Sequence, residues 1–145
     1  MLNEIQINRM ANVPNVVQLH EVYETDKELI LIQDLAEGAS LLEYLKKETF
    51  AELEAAFIIK TVVETLMQIH EKGIIHRDIK LENIVYNAKT RELRLIDFGL
   101  STLKTNIELF KKCGTPGYVA PEILRNEDYD ESVDYFSLGV VLYAM

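Results

Sequence analysis

The chain is 145 residues long, 48% hydrophobic and 27% charged, a composition that suits one modest soluble, globular domain. Its formal net charge of −9 argues against nucleic acid or an anionic membrane as partners, since both require basic surface; it permits a basic substrate without requiring one. Cys113 is the single cysteine, which excludes an internal disulfide and a thiolate metal cluster and fits an intracellular, cytoplasmic setting. Met1 to Met10 lacks the basic start and apolar run of a signal peptide, and no apolar stretch approaches the ~20 residues that span a bilayer.

In chain order, Leu2, Ile5, Ile7 and Met10 recur at helical spacing before Pro14 closes the segment. Val16 to Tyr23 and Leu29 to Ile32 are β-rich runs around the polar turn Glu24 to Glu28. After Gly38, Ser40 to Lys47 predicts a short helix. Thr49-Phe50-Ala51-Glu52 reads as a capping box, with Thr49 as N-cap of a long helix. Ala55, Ile58 or Ile59, Val62, Leu66 and Ile69 give that helix one buried face. Gly73 ends it, with His70 and Lys72 in the last turn, so His70 is read as a cap-region residue rather than a ligand. Ile84 to Tyr86 and Leu93 to Ile96 predict a second hairpin turning over Asn87 to Arg91. Ser132 to Met145 predicts an apolar helix with Val140, Val141, Leu142 and Tyr143 exposed.

The chemistry concentrates before and after that second hairpin. Asp78, Lys80 and Asn83 are two and three residues apart, a spacing that turns all three into one cleft from a loop but spreads them around a helix. An acid, a lysine, an asparagine and the further acid Asp97 suit phosphoryl transfer, which relies on positioning and charge neutralisation. The acid orients the attacking hydroxyl, the lysine meets phosphate charge, and the Asn and Asp oxygens suit a hard cation.

His76-Arg77-Asp78-Ile79-Lys80-Leu81-Glu82-Asn83, then Asp97-Phe98-Gly99, then Gly114-Thr115-Pro116-Gly117-Tyr118-Val119-Ala120-Pro121-Glu122 resembles the signature of the eukaryotic protein kinases. The resemblance covers essentially the whole chain, and the run Cys113 to Leu124 is most like the calcium/calmodulin-dependent group. It implies an α+β, two-lobed kinase fold of which residues 1–33 are the end of the small lobe and 34–145 the hinge and the catalytic half of the large lobe. It implies ATP and Mg²⁺ as cofactors and a protein Ser/Thr hydroxyl as acceptor, Lys80 and Thr115 being the marks of Ser/Thr kinases. Asp78 would act on the hydroxyl and Lys80 on the phosphoryl group, while Asn83 and Asp97 would hold the metal. Gln33 falls at the gatekeeper, Asp34 and Leu35 at the adenine-binding hinge, Glu82 beside the nucleotide and Val85 under the adenine; a plain strand end is equally consistent with residues 33–35.

Glu4 stands ten residues before Pro14, where the family's conserved glutamate stands, although no lysine precedes it to be its partner. A solvated helix carboxylate is the plain alternative. Asn8 occupies a position that is apolar in the family. His76 would pack beneath Phe98 of Asp97-Phe98-Gly99, Asp134 would bond the His76-Arg77 backbone, and Glu122 would pair with an arginine beyond this sequence. Arg77 belongs to the subclass that pairs with an activation-segment phosphate, yet Lys111 sits at the customary phosphosite; Thr102, Thr105 or the carboxylate of Glu108 would substitute. Without a glycine-rich loop before residue 1, these residues alone are expected to lack activity. A non-catalytic, pseudokinase-like interaction module is the alternative, and a small-molecule phosphotransferase is disfavoured by Gly114 to Glu122.

Overall fold

The computed structural model describes residues 2–105 and 113–145. Helix α1 (Leu2–Met10) leads through Asn15, in the left-handed region at φ 63°, to the antiparallel hairpin β1 (Leu19–Glu24) and β2 (Leu29–Gln33), with a bulge between Leu19 and Glu21. Tyr23, Ile30 and Ile32 stay exposed on this two-stranded sheet. The segment 15–17 ties to the rest through backbone bonds from Leu95 N–H to Asn15 and from Val17 N–H to the Leu95 carbonyl.

Strand β3 (Ala39–Ser40) follows Gly38, whose φ is +123° and whose missing Cβ would lie 2.3 Å from the Tyr86 carbonyl oxygen. Only glycine fits so near another backbone. Helix α2 (Leu41–Leu45) starts from a capping box in which Glu43 N–H donates to Ser40 Oγ and Ser40 N–H to the Glu43 carboxylate. The box expected at Thr49 is absent. Helix α3 (Glu52–Glu71) has Ala51 as N-cap without a side-chain bond, so Thr49 lies two residues too early. Phe50 turns instead into a ring cluster with Tyr44 and Tyr86, at centroid distances of 5.6 and 6.4 Å.

Helix α3 carries the core. Ile58, Val62, Leu66 and Ile69 are fully buried, each worth about 1.5–3 kcal/mol of transfer free energy. Its end is as expected: Gly73, at φ +75°, returns its N–H to the His70 carbonyl. Strand β4 (Ile74–Ile75) pairs with β7 (Thr102–Leu103), while β5 (Ile84–Asn87) and β6 (Glu92–Leu95) form the second hairpin and β3 pairs along β5. Helix α4 (Pro121–Arg125) and helix α5 (Ser132–Ala144) complete the fold. Leu142 and Tyr143 are exposed as expected, but Val141 is fully buried, because it joins Leu138 on the face of α5 turned to the core.

Candidate active site

The loop from His76 to Lys80 leaves β4 and is held from below by α5. Asp134, in the first turn of α5 and 0% exposed, accepts from His76 N–H at 2.9 Å through Oδ2 and from Arg77 N–H at 2.7 Å through Oδ1. Arg77 is in the left-handed region at φ 66°, a conformation that costs a non-glycine residue about 1–3 kcal/mol. The two bonds to Asp134 hold it there. A third donor, His70 Nε2, reaches Asp134 Oδ2 at 2.8 Å. The carboxylate only accepts, so Nε2 carries the proton, and the Tyr135 hydroxyl lies 3.2 Å from Nδ1. His70 is therefore a buried support of the loop as well as a last-turn residue.

Above this support three side chains close a ring. Lys80 Nζ is 2.7 Å from Asp78 Oδ2 and donates to Thr115 Oγ1 at 2.9 Å; the Thr115 hydroxyl donates to Asp78 Oδ1 at 2.6 Å. Asn83 Nδ2 donates to the Asp78 backbone carbonyl at 2.9 Å and to Oδ2 at 3.1 Å. Burial raises the Asp78 pKa, but the bonds from Lys80 and Thr115, the Lys80 charge and the Asn83 bond together outweigh it and hold the carboxyl below its usual range. Burial likewise opposes the Lys80 charge, and Asp78, Glu82 and Asp97 outweigh it, so the ammonium is held above its usual range. The site thus combines a committed carboxylate with a committed cation, and Thr115 joins the loop to the segment before α4.

The hairpin β5–β6 brings the second acid round. A 3₁₀ turn (Leu81–Asn83) leads into β5, and after β6 the Ile96 N–H donates to the Asn83 carbonyl at 3.0 Å, which brings Asp97 next to Asn83. Asp97 is exposed, at φ 63°, and its Oδ1 accepts from Gly99 N–H. Because Asn83 spends its amide nitrogen on Asp78, its side-chain oxygen remains for a cation, and Asp97 keeps Oδ2 while Oδ1 accepts from Gly99 N–H. This oxygen pair fits Mg²⁺, which keeps waters and takes phosphate oxygens, so one or two protein ligands suffice. Among the described residues no group of three His, Cys, Asp or Glu side chains stands ready to hold a metal by itself.

A cavity of about 340 Å³ opens beside Asp97, lined by Glu4, Asn8, Gln33, Asp34, Ile96 and Phe98 among others. Its size suits a small-molecule ligand. Glu4 and the neighbouring Gln33 and Asp34, all far from Asp97 in sequence, line this cavity with it. Asp34 is clamped to the start of β1 and the residue before it: Oδ2 accepts from Gln18 N–H, Oδ1 faces His20 Nε2 at 2.6 Å, and its own N–H donates to the Gln18 carbonyl. Leu35 is 84% exposed and Val85 is half-buried on β5, and neither lines the cavity. Glu82 is exposed on the 3₁₀ turn.

The whole chain, residues 1–145, matches the Protein kinase domain family. The chain belongs to the protein kinase family. It is 38% identical over 99% of its length to calcium/calmodulin-dependent protein kinase type 1 of Macrobrachium nipponense, covering 42% of that protein. It is 41% identical to the human serine/threonine-protein kinase DCLK3, over 99% of this chain and 22% of the relative, and 39% identical to human calcium/calmodulin-dependent protein kinase type IV, over 98% and 31%. The chain therefore spans less than half the length of these relatives.

The remaining positions expected from the kinase resemblance fall as follows. His76 is fully buried against Phe98, with ring centroids 4.8 Å apart, and accepts from Asp78 N–H at Nδ1; burial holds its pKa below the usual range despite the nearby Asp134 and Asp78. The Glu4 carboxylate reaches to within 3.8 Å of where a Cβ on Gly99 would stand. Asn8, buried, donates back to the Glu4 carbonyl. Glu122 lies in the first turn of α4, and a cavity beside it is lined by Asp128, Tyr129, Asp130 and Ser132. Thr102 is a correction: it is 2% exposed and pairs with Ile75 in β7, so a kinase could not reach it, whereas Thr105 is exposed. Glu108 and Lys111 lie outside the described residues. Two residues of the site escape sequence reasoning, His70 and Tyr129. The Tyr129 hydroxyl accepts from Arg77 Nη1 at 2.9 Å, and no local pattern around it signals that contact.

Proposed function

We propose that this chain carries the catalytic part of a Mg-ATP-dependent protein serine/threonine kinase. The single observation that carries the reading is the ring on Asp78. A carboxylate held ionised and aligned by Lys80, Thr115 and Asn83 suits a group that orients an acceptor hydroxyl and takes its proton. Lys80 then lies where it can meet charge on the transferred phosphoryl group. Asn83 and Asp97 would hold Mg²⁺, and bound Mg-ATP supplies the phosphoryl group together with the cation that offsets its charge. In this reading residues 1–33 are the end of a small lobe and 34–145 the hinge and catalytic half of a large lobe. Gln33, Asp34 and Leu35 would follow the adenine edge and Val85 would lie beneath it.

The acceptor is proposed to be a Ser or Thr of a protein, since Lys80 and Thr115, the marks of Ser/Thr kinases in the family resemblance, are both bonded to Asp78. A second cavity, about 470 Å³, starts at Gly114 and Pro116 next to Thr115 and is lined by Val119, Ile123 and Phe136. A peptide whose hydroxyl reaches Asp78 would set a neighbouring apolar side chain there. No nucleic acid is proposed as partner, given the net charge of −9. No helix among the described residues is long and apolar enough to cross a membrane. The test is phosphotransfer from γ-labelled ATP by the full-length protein to paired peptides differing only in Ser, Thr or Tyr. Label in the Ser and Thr peptides, abolished by chelating Mg²⁺, is expected. Label confined to tyrosine, or to a small molecule, would overturn the assignment.

A further inference from the structure

The guanidinium of Arg77 sits one residue before Asp78, on the left-handed turn that aims it. Its Nε donates to the Leu100 carbonyl at 2.8 Å and its Nη1 to the Tyr129 hydroxyl at 2.9 Å. Among the described residues Arg77 pairs with no carboxylate. Among those residues its guanidinium is met by two neutral oxygens, one from the segment after Gly99 and one from the turn that precedes α5. Tyr129 is half-buried, and burial together with the neighbouring Cys113 thiol raises its pKa despite the Arg77 charge, so the hydroxyl stays protonated and neutral. The same turn is tied down at both sides. Asp130 accepts from Ser132 N–H, and Tyr129 packs against the buried cluster of Ile75, Ala120, Ile123 and Val133. An oxygen on so fixed a ring is a rigid anchor for a guanidinium fork.

We propose that Tyr129 is a positioning residue for catalysis: by anchoring the Arg77 side chain it fixes the Arg77–Asp78 turn without a phosphate on the preceding segment. Asp134 fixes the backbone of that turn from below and Tyr129 fixes its side chain from outside. Removing either lets the φ 66° conformation relax, and Asp78 leaves its line to Lys80 and Thr115. Tyr129 touches neither substrate nor nucleotide, so its effect runs through the rate of transfer rather than through binding. This inference rests on the kinase reading above.

The experiment uses the full-length protein and the Tyr129→Phe substitution, which keeps the ring in its apolar seat and removes only the oxygen. The expected result is a fall in kcat of about tenfold with KM for ATP unchanged, the loss of one bond to a charged group. Hydrogen exchange at the amides of residues 76–78 should speed up by a similar factor. In an Arg77→Gln background Tyr129→Phe should have no further effect, because the partner is already gone. Wild-type activity should also survive phosphatase treatment. Unchanged kcat and exchange in Tyr129→Phe, an equal loss in the Arg77→Gln background, or wild-type activity abolished by phosphatase would each overturn the proposal. If the wild-type protein transfers no phosphate at all, the kinase reading fails, and the exchange measurement alone still decides whether Tyr129 holds the turn.

Discussion

Replacing Asp134 by Asn should loosen the catalytic loop far more than the loss of one charge suggests. Three N–H donors, from His76, Arg77 and His70, converge on the two carboxylate oxygens at 2.7–2.9 Å in a fully buried site. A carboxamide offers one acceptor oxygen and one NH₂. Whichever way it turns, its NH₂ faces at least one backbone donor, so one bond is lost and one buried N–H is left unpaired. A bond to a charged group is worth about 1.5–3 kcal/mol, and an orphaned buried donor costs about 1–3 more. The sum, about 2.5–6 kcal/mol, is a large share of the ~5–15 kcal/mol that holds a domain folded. Where the NH₂ faces Arg77, part of it is released locally, because the left-handed Arg77 loses the bond that offsets its own strain. Urea unfolding of Asp134→Asn against wild type, with hydrogen exchange at residues 76 and 77, measures both. Asp130→Asn, where an exposed carboxylate accepts from Ser132 N–H, is the control and should stay within ~1 kcal/mol. A shift below ~1 kcal/mol for Asp134→Asn, with the two amides still protected, would refute the reasoning.

Two further outcomes follow from the same geometry. Thr115→Ala should cut turnover by about tenfold or more by removing the hydroxyl that bonds both Lys80 and Asp78, while Thr115→Ser should keep most of it; equal losses in the two would show that the methyl, not the hydroxyl, matters. His76 is buried and its pKa is held below the usual value, so the unfolded chain takes up a proton that the folded chain refuses as the pH falls through ~6.5. Stability should therefore be full above that pH and decline below it by up to about 1.4 kcal/mol per pH unit, and His76→Gln should lose that part of the slope; identical slopes between pH 7.5 and 5.5 would contradict it.

Much of this site was legible because its chemistry is written in short runs. Asp78, Lys80 and Asn83 lie within six residues, and a loop needs no distant contact to turn them together. The two hairpins could be read from alternation and polar turns, and the buried face of α3 from its spacing. What the sequence hid was set by tertiary contacts. Thr49 satisfies the local capping pattern, but the pull of Phe50 into the rings of Tyr44 and Tyr86 delays the helix to Glu52. Thr102 looks like any threonine near a turn until β4 pairs with it. His70 is bonded to a residue 64 positions away and Tyr129 to one 52 positions away, so neither contact leaves a local trace. Val141 shows the reverse error: a run of apolar residues at the end of α5 conceals which one faces the core.

The most direct test of the central claim is Asp78→Asn in the full-length protein, measured for both phosphotransfer and Mg-ATP binding. The substitution keeps the shape of a side chain that accepts from Thr115 and Asn83 and removes the charge and basicity assigned to the acceptor hydroxyl. The account predicts turnover lower by about 10²–10⁴-fold with nucleotide affinity nearly intact, since the proposed metal ligands are Asn83 and Asp97. Near-normal turnover in Asp78→Asn would contradict it.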